Sequence, residues 1–374
     1  MQGYYLFFGS KSTGVYRKID MQVHELEKIS AMKLITMEAG SRTTMDKIKS
    51  RIIWLPLGYD YDKAVSSIHN PDFIYIRRYT ADCDLIKFLS YVKEKFPKCK
   101  VLIEIFTYPY DKDDYARDVH HFLIQLPFYL KDLIYRKKYR EYVDRFITFS
   151  KDDYIFDVKT IKTCNGVYVD DVKPVRIETS KFDNVINLTS VAHMQTHHGF
   201  ERLINGLYLY YKNGGKRSIK YHVVGDGAEV PKYKQLVKKY GLESVVIFHG
   251  RLSGDELDNI YNITDVAVSS LGLYKYKINI ISTLKEGEYL AKGLPTIAGC
   301  KISLLTDEEP PFILTFKNDS SPIEVDRIIQ FYDELYNNNN KEDIVHEIRE
   351  FAKNHVDMPI VMKPIIDYLE SRDR

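Results

Sequence analysis

Lys285 stands where an ordinary helix would not place it. Residues 282–295, STLKEGEYLAKGLP, read as a short helix. Thr283 with Glu286 three positions on has the form of a capping box, Gly293 sits at the left-handed stop, and Pro295 follows. Lys285 then falls in the first turn, where the helix dipole is already positive. An anion held between its ammonium and the open backbone N–H groups accounts for it, and helix N-termini bind phosphate in this way. Glu288, three residues further, shares that face. A phosphate at the tip and a hydroxyl-bearing group beside Glu288 describe a nucleotide with its ribose. A solvated ion pair between Lys285 and Glu288 accounts for the same spacing equally well.

Other residues carry weaker signals. His193, His197 and His198 cluster after a strand-like run but lack further ligands at zinc spacing. Two imidazoles donating to a diphosphate fit them better. Two glycine-bearing loops follow strands: residues 9–14, GSKSTG, and Gly225-Asp226-Gly227. The first lacks both G-x-G-x-x-G and the P-loop Lys-Ser/Thr pair, so it reads as a turn that lets backbone approach a ligand, or as a plain turn. Asp60/Asp62 and Asp111/Asp113 have the D-x-D spacing that can hold a divalent cation with substrate phosphates, but solvated loops are the ordinary source of such pairs. No metal site is expected. No G-x-S-x-G elbow points to a serine hydrolase.

The elements that must position these residues alternate strand and helix throughout, the pattern of α/β architecture with parallel sheets. With 374 residues the chain suits two domains. Strands are predicted at 4–8, 34–36, 52–55, 73–76, 100–105 and 146–149, then at 185–191, 221–224, 245–248, 266–269 and 296–298. Helices are predicted between them, including 15–29 and 122–142, with a last one at 364–371. The charged stretch 170–181 reads as the linker.

Hydrophobic content of 44% with 28% charged residues is that of a soluble globular protein. No apolar run is long enough to span a bilayer. Four scattered cysteines lack metal or redox spacing, and a reducing cytoplasm is the expected compartment. Residues 1–180 hold 30 Lys and Arg against 25 Asp and Glu, a balance of +5, and the remainder holds 24 against 27, or −3. The basic half includes residues 120–145, where Arg136, Lys137, Lys138 and Arg140 interleave with Tyr135, Tyr139 and Tyr142. That pattern suits an anionic membrane surface or lipid-linked anion, or a solvated helix face. No nucleic-acid-binding motif accompanies it.

Residues 223–270, VVGDGAEVPKYKQLVKKYGLESVVIFHGRLSGDELDNIYNITDVAVSS, followed by EYLAKGLP, resemble the donor domain of the GT-B-fold, largely retaining glycosyltransferases of family four. The glycine-acid-glycine turn, the V-x-F-x-G strand and loop, the Asp-Val strand and the final E-x-x-A-x-G-L-P follow one another in that family's order. DRFITFS (144–150) and CNGVYVD (164–170) resemble its end-of-first-domain strands.

The resemblance implies two Rossmann-like domains facing an inter-domain cleft: 1–178, binding the acceptor, and 179–359, binding a nucleotide-sugar. A C-terminal helix at about 360–374 would cross back to the first domain. It implies transfer of a sugar from a nucleotide-diphosphate donor to a hydroxyl of a glycan or lipid-linked saccharide, with retention and without a metal or other cofactor. Surface polysaccharide synthesis at the inner membrane face is the expected setting, with no nucleic-acid partner. Glu288 would hold the ribose. Ser282, Thr283, Leu284 and Lys285 would hold the diphosphate, with Gly14 and Gly225 against it. The loop bearing Arg251 would meet the base.

Several positions depart from the family pattern. His193 and His198 stand where Arg and Lys are usual. Ile280 stands where an acid normally reads the sugar, with Asn279 beside it as the substitute. Thr107 and Tyr108 occupy the place of an acceptor-side His. Lys285, His193 and Asn279 are therefore the expected catalytic groups. A nucleotide-sugar epimerase on the same fold, or a non-catalytic nucleotide- or glycan-binding partner of an active transferase, are the alternatives.

Overall fold

The computed structural model describes residues 1–9, 14–37, 43–116, 119–176, 185–337 and 339–372. The chain divides into two units, Met1–Cys164 with Met358–Arg374, and Asn165–Asp357. The boundary expected at 178/179 falls outside the described residues.

In the first unit apolar strands alternate with amphipathic helices: β1 (Gln2–Phe7), α1 (Gly14–Glu27), β2 (Ala31–Thr36), α2 (Thr44–Ser50), α3 (Tyr61–Ser67), β3 (Phe73–Arg77), α4 (Cys83–Lys95) and β4 (Lys100–Ile105). There follow α5 (Asp111–Tyr115), α6 (Val119–Tyr135), α7 (Tyr139–Tyr142), β5 (Arg145–Thr148), β6 (Tyr154–Ile155) and β7 (Val158–Lys162). The sheet order is β2-β1-β3-β4-β5-β7-β6, parallel except for the β6–β7 pair. The apolar runs of β1, β3 and β4 are buried because helices cover both faces of such a sheet. Residues 52–55, expected as a strand, form a turn after α2 instead. Thr43 and Asp46 cap that helix, and the buried Lys131 of α6 donates to the carbonyls of Ser50 (2.8 Å) and Leu55 (2.5 Å), leaving no edge to pair.

The second unit runs β8 (Val185–Val191), α8 (Glu201–Lys212), β9 (Ser218–Val224), α9 (Val230–Tyr240), β10 (Val246–Gly250), α10 (Gly254–Asn262), β11 (Val266–Val268) and β12 (Ile280–Ile281). Then come α11 (Leu284–Lys292), β13 (Thr296–Ala298), β14 (Lys301–Ile302), β15 (Ile313–Thr315), α12 (Val325–Tyr336) and α13 (Lys341–His355). The main sheet, β10-β9-β8-β11-β13-β15, is parallel and has the doubly wound order 3-2-1-4-5-6. Its order reverses between β8 and β11.

α14 (Met358–Glu370) packs on the first unit: Lys100 Nζ donates to Tyr368 O at 2.6 Å and Thr163 Oγ1 to Val361 O at 2.5 Å. It starts earlier than the expected 364 and passes through Pro364. Met358, Val361, Met362, Ile365 and Leu369 bury one face at helical spacing, which outweighs the roughly 3 kcal/mol that an internal proline costs.

Candidate donor site at the sheet switch point

In an open α/β sheet, ligands bind beyond the carboxyl ends of the strands where the strand order reverses. In the second unit that place lies past β8 and β11. The loop after β8 holds His193 and a 3-10 turn ending in His198, and the loop after β11 holds Ser269 and Ser270. The two loops are laced together: Leu271 N donates to His198 O at 2.7 Å and Gly272 N to His197 O at 3.2 Å. Gly199, at φ +60°, lies so close to Gly272 that a Cβ would come within 2.4 Å of its Cα. The buried Arg202 binds the carbonyls of Leu271 (2.6 Å), Ser321 (2.7 Å) and Lys317 (2.9 Å), which fixes these loops from below.

α11 enters this place by its N-terminus. Thr283 is its N-cap, Glu286 closes the capping box (Thr283 N to Glu286 Oε2, 2.8 Å), and Gly293 ends it at φ +80°. Leu284 is its first residue and is half-buried. The carboxylate of Glu286 is itself buried and bonded to Ser269 Oγ, a role in joining helix to strand loop that the sequence did not show. Lys285 does not turn out to solvent. Its Nζ donates to Ser270 Oγ at 2.8 Å and lies 6.0 Å from the Phe200 ring centre. Burial holds its pKa below the ordinary lysine value. Glu288 lies one turn on, half-buried.

His198 is buried beside this ammonium. Burial first, then the Lys285 charge, push its pKa down to about 2, so the ring stays neutral. Gln195 N donates to its Nδ1 at 3.0 Å, closer than the Gln195 carbonyl at 3.3 Å from the same nitrogen, and on that shorter contact the ring proton is assigned to Nε2. A neutral imidazole donor, a lysine and a helix N-terminus thus converge where the strand order reverses. Positive potential focused in a partly buried place suits a diphosphate.

The remaining expected residues are distributed around this centre. Ser282 Oγ accepts from Asn165 N at 2.7 Å, and its carbonyl accepts from Asn165 Nδ2 at 2.5 Å, so Ser282 anchors the strap after residue 164. A hydroxyl that accepts can still donate to a phosphate. His193 is exposed and bonded through Nδ1 to Asp226 Oδ1 at 2.7 Å, and Arg251 Nε lies 3.9 Å from Asp226 Oδ2. Gly225, at φ +123°, lets this turn lie against the loop after β8; a Cβ there would come within 1.9 Å of Ala192 O. Asn279 is exposed, its Oδ1 accepting from Asn318 Nδ2 at 3.0 Å. His249 turns inward: its Nε2 bonds Nδ1 of the buried His222 at 2.9 Å.

In the first unit Gly14 begins α1, and residues 10–13 of its loop lie outside the described residues. Thr107 and Tyr108 follow β4 and are half-buried, with the Tyr108 ring 6.1 Å from that of Phe156. Beside them is a constellation that went unnoticed in the sequence. Glu104, fully buried in β4, accepts from Lys18 (2.8 Å), Gln22 (2.7 Å), Tyr75 (2.7 Å) and Arg77 (2.6 Å). Burial pushes its pKa up, but the adjoining Lys18 and Arg77 charges win and hold it down at about 2. The available signal was an acid inside the apolar run KVLIEI, which needs partners to be buried. Next to it Arg78 pairs with Asp114 and stacks 3.4 Å over the Tyr110 ring, while Tyr110 donates to Asp132 at 2.9 Å. Among the described residues no group of three or more His, Cys, Asp or Glu side chains could hold a metal ion, and no helix is long and apolar enough to cross a membrane.

Comparison with known proteins identifies the fold. A glycosyltransferase from Rickettsia africae ESF-5 superposes with a TM-score of 0.63 at 15% identity, covering 99% of this chain and 97% of that one. Sucrose-phosphate synthase from Thermosynechococcus elongatus gives 0.66 at 15%, covering 99% of each chain. Anabaena HepE in complex with UDP gives 0.62 at 13%, again covering 99% of each. No curated protein matches the sequence. The fold is GT-B, the one these glycosyltransferase structures share. Residues 173–273 match the family model of the glycosyl transferases group 1.

Proposed function

We propose that the chain moves a sugar from a nucleotide-diphosphate donor to a hydroxyl of a glycan or lipid-linked saccharide, with retention of configuration and without a metal. The observation that carries this is the meeting of Lys285, the His198 Nε2–H and the α11 N-terminus at the β8/β11 switch point. The bond from the anomeric carbon to the diphosphate oxygen breaks, and negative charge grows on that oxygen. Lys285, His198 and the helix amides stabilise it by preorganised electrostatics. The acceptor oxygen bonds to the anomeric carbon, and its proton passes to the departing phosphate oxygen, so no strong protein base is needed. His193, held by Asp226, sits after β8 as a second donor to the sugar or phosphate, and Asn279 is assigned to sugar hydroxyls. Glu288 holds the ribose and the loop of Arg251 the base. Thr107 and Tyr108 lie on the acceptor side.

The UDP bound in the Anabaena structure supports a uridine donor as the first to try. The test is turnover of a panel of nucleotide-diphosphate sugars, with and without saccharide acceptors, in the presence of a chelator. Acceptor-dependent release of nucleoside diphosphate, with a product of unchanged anomeric configuration by NMR, is the expected result. Conversion of the donor without acceptor would establish an epimerase instead. Loss of turnover in the chelator would overturn the metal-independent reading. A lipid-linked acceptor used in surface polysaccharide assembly would be met at the inner membrane face.

A further inference from the structure

Nine of the fifteen large apolar side chains exposed among the described residues lie in two short segments, 45–54 and 119–134. Single exposed apolar residues are ordinary, but this concentration marks a surface made to be covered. α2 is exposed along its length except for Ser50, and with the turn after it displays Met45, Ile48, Ile52 and Trp54, the last 71% exposed. On α6, Val119, Leu123, Leu130 and Ile134 recur at helical spacing within one stripe, opposite the buried Lys131 and Asp132. The two surfaces adjoin, because Lys131 grips the carbonyls of Ser50 and Leu55 that bracket the α2 turn.

Charge indicates what covers them. Lys47, Lys49 and Arg51 are exposed among the α2 apolar residues, and Lys137, Lys138 and Arg140 are exposed just past the α6 stripe. The acids in these stretches are Asp46, held in the α2 cap by Thr43, and the buried Asp132; from outside them Asp157 reaches Arg140 at 3.7 Å. Arg136 and Tyr139, counted in the sequence as part of a basic aromatic surface, are used inside the fold: Arg136 pairs with Asp111 at 2.7 Å and Tyr139 is buried. A symmetric pairing of two copies through this patch would set its lysines and arginines against themselves. An anionic lipid surface neutralises them while taking the apolar side chains into the headgroup boundary.

We propose that α2, its following turn and the outer stripe of α6 form a docking surface for an anionic bilayer. The proposal deepens the reading of a lipid-linked acceptor and rests on it. Trp54 is the only tryptophan in the sequence, so emission excited beyond the tyrosine absorption reports on this surface alone. The full chain, without donor, is titrated with phosphatidylglycerol–phosphatidylcholine vesicles and with pure phosphatidylcholine vesicles, and co-sedimentation is followed in parallel. Trp54 emission should move to the blue and be quenched by brominated acyl chains in the anionic vesicles only. Each of Lys47→Gln and Lys49→Gln should weaken partitioning about fivefold. Leu123→Asp and Ile134→Asp, at exposed positions, should weaken it by at least about tenfold with unchanged circular dichroism. Unshifted emission with the chain left in the supernatant overturns the proposal. So does equal binding to neutral vesicles, and so does a blue shift that follows protein concentration alone with a dimer in sedimentation. Sugar transfer to a detergent-solubilised acceptor without vesicle binding would leave the function standing and sink the docking surface. Vesicle binding without any transfer would do the reverse.

Discussion

Lys285 Nζ donates to Ser270 Oγ at 2.8 Å, joining the first turn of α11 to the loop after β11. That contact holds a cation at the end of a helix whose dipole repels it, beside the neutral His198. The arrangement is unfavourable without an anion, and the diphosphate of the proposed donor would make it favourable.

Lys285→Ala should therefore lower kcat/KM for the nucleotide-sugar by about 10²–10³-fold, the usual cost of removing one group that meets developing charge. Lys285→Arg should recover part of it. Steady-state kinetics with a fixed acceptor check this; wild-type rates in the alanine variant would remove Lys285 from the site.

Glu288→Gln should weaken nucleoside diphosphate binding about tenfold, the order expected for one charged hydrogen bond to a hydroxyl. The same loss should appear when the wild type is given a 2′-deoxy or 3′-deoxy nucleotide, and the two losses should not add. Additive losses in calorimetric titrations would place the ribose elsewhere.

Gly225→Ala puts a Cβ against the carbonyl of Ala192 at φ +123°, backbone against backbone. The fold should lose about 2–4 kcal/mol, seen as a lowered denaturation midpoint. Gly241→Ala, at φ +65° with nothing within 4 Å of the new Cβ, is the control and should cost about 1 kcal/mol. Equal losses would show that the close approach is not what requires Gly225.

Glu104→Gln leaves the buried Lys18 and the half-buried Arg77 without their counter-charge, so stability should fall by about 3–5 kcal/mol. Chemical denaturation measures it. A loss below about 1 kcal/mol would mean that the ammonium and guanidinium escape to solvent.

Stability should also decline in acid before most carboxylates titrate. Burial, then the neighbouring His249, hold His222 down at about 4, and His198 lies lower still. The unfolded chain takes up these protons near pH 6.5 and the folded chain does not, so stability drops as pH falls from about 6.5 toward 4. A loss of up to about 3 kcal/mol for each ring at pH 4 is expected. His222→Asn should flatten the melting temperature against pH over that window; an unchanged slope would rule the ring out.

Much was legible in the chain itself. The alternation of apolar runs and amphipathic segments determined two α/β halves, because strands covered on both faces must be apolar and their connecting helices half so. The α11 boundaries were readable because Thr283, Glu286 and Gly293 act locally, through their own backbone. The order of donor-domain motifs was readable for the same reason. Local reading failed where distant residues decide. Residues 52–55 look like a strand, but Lys131, far along the chain, holds them in a turn. Pro364 looks like a helix start, but burial of the α14 face carries the helix through it. Only tertiary structure could show that Lys285 turns inward to Ser270, that His193 is taken by Asp226, that Glu286 joins its helix to Ser269, and that Glu104 gathers Lys18, Gln22, Tyr75 and Arg77. Sequence spacing specifies which residues share a helix face or strand end, while the partner of a charge is set by strand order in the sheet, which brings together residues many positions apart.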